Sequence, residues 1–80
     1  MNLPLEKMTE LFKTNIQDHF DAVRLKELLV KEFPQAYFQF DLRHPDKILC
    51  VEGTSVPVSR VVQMIKHAGF YCEVVETKID

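Results

Sequence analysis

The apolar positions of this chain change period along its length, and the changes divide it into six elements. Between Met8 and Ile16, the residues Phe12, Thr14 and Ile16 alternate with Leu11, Lys13 and Asn15, the two-residue period of a strand. Beyond Asp18 the period lengthens. Ala22, Leu25, Leu28, Leu29 and Phe33 recur at three and four residues, which stacks them on one helix face, while Lys26, Glu27 and Lys31 fall on the wet side. Asp18 offers an N-cap carboxylate, and Asp21 puts a second acid in the first turn, where the helix dipole favours it. Pro34 ends this helix, because it drives the residue before it out of helical geometry. From Ala36 to Leu42 the period returns to two, with Ala36, Phe38, Phe40 and Leu42 opposite Tyr37, Gln39 and Asp41. Arg43-His44-Pro45-Asp46 reads as a turn. Lys47 to Glu52 reads as a strand that is apolar on both faces, hence central. Gly53-Thr54-Ser55 breaks the sheet, and Pro57 suits a first helical turn. Val58, Val61, Val62, Ile65 and Ala68 form a second helical stripe, Gly69 is a left-handed stop, and Phe70 to Glu76 reads as the last strand.

The order strand, helix, strand, strand, helix, strand has one economical solution. Right-handed crossovers interlock the two strand–helix–strand units into an α+β, ferredoxin-like βαββαβ sandwich. Its four strands form an antiparallel sheet, with both helices on one face. The helices are expected to bury Leu25, Leu29, Val61 and Ile65 against Phe38, Phe40, Leu49 and Val51. The domain spans 8–80 and follows a short N-terminal arm, 1–7. The sheet face without helices would carry Leu11, Tyr37, Ile48 and Cys50, with Tyr71 or Val75 beside them. Such an apolar patch is an interaction surface or is covered, either by the arm, with Leu3, Leu5 and Met8, or by a second copy.

Composition narrows the function classes. The chain has 80 residues, 46% hydrophobic and 28% charged, the balance of an ordinary globular domain. Ten Lys and Arg against twelve Asp and Glu give a net charge of -2, spread evenly over both halves. No basic block exists to neutralise a phosphate backbone, so nucleic acid is not an expected partner. Apolar runs such as Leu28-Leu29-Val30 are too short for membrane insertion, and the start lacks the basic region of a secretion signal. A cytoplasmic location is expected. Two cysteines do not make a disulfide framework. Cys50 and Cys72 would sit two strand spacings apart, about 9–10 Å, beyond the roughly 7 Å that a disulfide spans.

From Phe12 to Glu76 the chain resembles the heavy-metal-associated domain, the small copper-chaperone-like ferredoxin fold. The resemblance is carried by Phe12-Lys13-Thr14-Asn15-Ile16, by Asp46-Lys47-Ile48-Leu49-Cys50-Val51-Glu52-Gly53, and by the run from Val61 through Gly69-Phe70. That family binds metal through a Cys-x-x-Cys between its first strand and first helix. Here the two thiol positions fall on Asp18 and Asp21, with His19-Phe20 between them. Cu(I) is a soft ion that prefers thiolates, so two carboxylates remove the basis for copper binding.

The loop chemistry leaves two readings. Asp18, His19 and Asp21 are candidate hard ligands for a divalent metal, Zn or Ni, in a metal-trafficking protein. The same residues also make an ordinary helix start, and a site of three ligands without a fourth would be weak. With no thiolate site, no cofactor is expected. His44 and His67 read as surface residues, the latter suited to a helix C-terminus. No spacing supports a nucleophile–base pair or a phosphate loop. The acylphosphatase version of the fold needs an Arg in the first loop, which here is Gln17-Asp18-His19-Phe20. The RNA-recognition version needs aromatics on the third strand, which has none. The expectation is therefore a small, non-enzymatic binding or regulatory module, meeting a protein partner or forming a homodimer. Phe20, Tyr37, Ile48, Cys50 and Phe70 are its candidate contact residues.

Overall fold

A computed structural model describes residues 7–79 of the chain. Six elements follow in the expected order: β1 Met8–Thr14, α1 His19–Glu32, β2 Tyr37–Asp41, β3 Ile48–Gly53, α2 Val58–His67 and β4 Cys72–Ile79. The strands form one antiparallel sheet in the order β2-β3-β1-β4. This is the ferredoxin-like βαββαβ arrangement. The N-terminal arm lies outside the described residues except for Lys7, whose Nζ stands 3.2 Å from the Glu52 carboxylate. Among the described residues no helix is long and apolar enough to cross a membrane.

The core is the single layer where the two periods meet. Phe12 and Ile16 from the first strand and its exit, Phe38, Leu49 and Val51 from the sheet, and Leu29, Val61 and Ile65 from the helices are all fully buried. Phe40, expected in this layer, is half-buried against it. Burying side chains of this size stabilises the fold by about 1.5–3 kcal/mol each. Leu28 departs from the expected stripe: it is 53% exposed. Leu25, Leu29 and Phe33 define the buried line of α1, and Leu28 lies to one side of it, over the groove toward α2. Ala68 is likewise exposed, because α2 ends at His67 and Ala68 is its cap.

The helix ends follow their local chemistry. Asp18 caps α1, its Oδ1 accepting from the Phe20 N–H at 2.8 Å. Pro57 starts α2 without a side-chain cap. Gly69 closes α2 at φ 96°, with Gly69 N donating to Lys66 O at 2.9 Å and Phe70 N to Ile65 O at 3.2 Å. That pair of bonds is a Schellman closure. It holds Phe70 in the cap, so β4 begins at Cys72 and not at the expected Phe70. The strand then runs to Ile79, three residues past the expected end, because Thr77, Lys78 and Ile79 pair with Glu10, Thr9 and Met8.

Candidate functional site

Side-chain direction on the sheet follows from register, since directly paired residues share a face. Phe12, Leu49, Phe38 and Val51 face the helices. Leu11 pairs with Cys50, which pairs with Gln39; Lys13 pairs with Ile48, which pairs with Asp41; Thr9 pairs with Glu52, which pairs with Tyr37. These residues therefore occupy the face without helices. Leu11, Ile48 and Cys50 are half-buried there, and Tyr37 is exposed at the edge. The Lys26 ammonium lies 5.8 Å from the Tyr37 ring centroid. Polar and charged groups surround this apolar centre: Lys13, Asp41 and Glu52 from the inner strands and β2, and Glu73, Glu76 and Lys78 from β4.

The structure separates the candidate contact residues into two places. Tyr37, Ile48 and Cys50 share the open face. Phe20 and Phe70 stand at the end of the domain where the β1–α1, β2–β3 and α2–β4 connections meet. Two contacts tie those connections together. The Tyr71 N–H donates to Asn15 Oδ1 at 2.8 Å, and the Thr14 N–H donates to the Asp46 carbonyl at 3.1 Å. Phe20 is 77% exposed, with its ring edge-on to His19. Phe70 is half-buried against the core and lines a cleft with Asp21, Arg24, Leu25 and Leu28.

The loop residues have identifiable tasks. Asp18 is occupied in capping, Asp21 sits in the first turn of α1, and His19 is exposed beside Val23, Lys26 and Phe40. Among the described residues no three His, Cys, Asp or Glu side chains are grouped so as to hold a metal ion. The cysteines are both free thiols. They lie on β3 and β4, on either side of β1, and on opposite faces of the sheet. Burial pushes the Cys72 thiol up to about 11. Cys50 is also raised, by burial first and by the Glu52 carboxylate second.

Two features were not found by sequence reasoning. Glu10 is only 3% exposed, on the helix-facing side of β1, where its carboxylate accepts from the Thr77 hydroxyl at 2.6 Å. Its two-residue spacing from Phe12 was the available signal. The second is an irregularity in β4: Leu11 pairs with Glu76 and Phe12 with Val74, leaving Val75 as an extra residue. Comparison with protein-family models, with curated proteins and with solved structures finds no match to this chain.

Proposed function

We propose that the domain is a non-enzymatic binding module that contacts a protein partner through its open sheet face. The observation that carries this reading is the apolar centre formed by Leu11, Ile48 and Cys50 with Tyr37 at its edge, rimmed by charge and left without a helix among the described residues. An apolar patch bordered by polar residues is the usual character of a contact surface. The exposed Phe20 ring offers a second point of contact at the loop end.

In this reading the chain is a thiolate-free relative of heavy-metal-associated carriers. What supports the relationship is the βαββαβ fold, in which Asp18 caps α1 and Asp21 sits in its first turn. The acids now serve the helix, and the domain's work passes from metal to protein contact.

Metal titration separates this proposal from the hard-ligand reading. Zn, Ni or Cu(I) is added to the isotopically labelled protein while the His19 ring and the Asp18 and Asp21 amides are followed by NMR. The expected result is no saturable change in that loop at micromolar metal. Saturable shifts confined to Asp18, His19 and Asp21 would replace the proposal with a Zn- or Ni-carrying function.

A further inference from the structure

We infer that the free edge of β4 pairs with the β4 edge of a second copy of this chain, in one defined antiparallel register. This surface is distinct from the open face invoked above, and the inference stands independently of that reading. β4 is the outer strand beside β1 and is eight residues long, Cys72–Ile79. Apart from Cys72 its residues are exposed, including Val74, Val75 and Ile79, the last at 62%. Among the described residues no strand lies beyond it. An edge with a row of unpaired backbone groups and exposed β-branched side chains is a template for another strand.

The extra residue at Val75 decides the register. Glu73 pairs with Lys13 and Lys78 with Thr9, so both point to the open face although they are five positions apart. In an unbroken strand an odd separation would put them on opposite faces. Cys72, Val74, Thr77 and Ile79 take the helix-facing side, opposite Thr14, Phe12, Glu10 and Met8. When two copies of β4 are laid antiparallel with all eight residues overlapping, Cys72 meets Ile79, Glu73 meets Lys78 and Val74 meets Thr77, and each of these three pairs shares a face; the extra residue Val75 falls at the centre, opposite Glu76. A regular eight-residue strand in full overlap would fail this test at every pair. An irregularity that ordinarily blunts an edge here makes its full-length self-pairing consistent.

Charge selects the same alignment. Two-fold symmetry places Glu73 of each copy opposite Lys78 of the other, giving two cross-strand ion pairs on the open face. Sliding the strands to the neighbouring face-consistent register puts Glu73 opposite Glu76 twice, and like charges directly opposed destabilise a pair. The product is an eight-stranded sheet continuous across the two copies. The contact is small by the standard of permanent dimers, so association is weak and concentration-dependent.

Sedimentation velocity on the full chain across a wide concentration series tests the inference. The wild type is expected to pass reversibly from monomer to dimer. Glu73→Lys and Lys78→Glu alone each create two like-charge pairs and are expected to weaken association by about tenfold or more. The double exchange, E73K with K78E, restores both pairs in reversed sense and is expected to recover dimerisation. Ile48→Asp, on the open face, is expected to leave it unchanged. Circular dichroism confirms that each variant is folded. A wild type that stays monomeric to its highest soluble concentration overturns the inference and leaves the edge to another occupant, such as residues 1–6. A dimer that ignores both single reversals, or one lost in Ile48→Asp, overturns it in favour of another surface.

Discussion

The Thr14 hydroxyl donates a 2.6 Å hydrogen bond to the Lys47 carbonyl and accepts one of 3.2 Å from the Ile16 N–H. Thr14 is buried, and so is its bond to the Ile16 N–H, whereas the bond to Lys47 is partly buried. One side chain thus ties the end of β1 to the β2–β3 turn. Lys47 adopts a left-handed φ of 47° in that turn, and its ammonium reaches back to the Leu42 carbonyl at 2.8 Å. Thr14→Val keeps the shape and removes both bonds. It is expected to destabilise the fold by about 1–3 kcal/mol, read from urea unfolding, whereas Thr14→Ser is expected to retain most of the stability.

Gly69 closes α2 at a φ of 96°, where a Cβ would meet no atom within 4 Å. Space is therefore not the constraint; the backbone angle is. Gly69→Ala is expected to cost about 1–2 kcal/mol in chemical denaturation, and Gly69→Asn less, since Asn tolerates left-handed geometry.

Cys72 gives stability a dependence on alkaline pH. Cys72 is 2% exposed, and burial raises its thiol pKa from 9.0 to about 11. The folded state therefore favours the protonated thiol. That contribution is whole below pH 9 and is lost as pH rises through about 11. Between those values the wild type is expected to lose stability more steeply than Cys72→Ala, measured by urea unfolding at stepped pH. Alkylation of the folded protein is expected to modify the half-buried Cys50 before Cys72.

Thiols introduced at the helix start test the family resemblance drawn from the sequence. Asp18→Cys with Asp21→Cys places two thiols at the cap and in the first turn of α1, with Ile16, Leu25 and Leu29 behind them in the core. Losing the cap is expected to cost about 0.5–2 kcal/mol. Competition against a chromogenic chelator should show Cu(I) binding in the double variant and none of comparable strength in the wild type. Equal binding by both would mean that the loop's carboxylates are not what excludes copper.

Legibility differed by the kind of physics involved. Strong period and punctuation placed all six elements, because Phe12, Phe38, Leu49, Leu29 and Ile65 carry both the sequence pattern and the buried core. The cap at Asp18 was readable because its bond to Phe20 is two residues long. Leu28 was misassigned because a helical stripe gives a face and not its width, which the neighbouring helix sets. The start of β4 was misplaced because the Gly69 closure holds Phe70. The extra residue at Val75 shows in the sequence only as two adjacent valines between Glu73 and Glu76; which of the two is extra is set by the register of β1. Glu10 was overlooked as a buried group because its partner, Thr77, is distant in sequence.

Contact through the open sheet face is measured by capture with matched surface variants. Wild-type protein and the folded variant Ile48→Asp with Tyr37→Ala, immobilised side by side, are exposed to the soluble proteins of the native cell, with bound proteins quantified. At least one protein is expected to be retained saturably by the wild type and lost from the variant. Equal retention on both surfaces, or no saturable retention by the wild type, would contradict it.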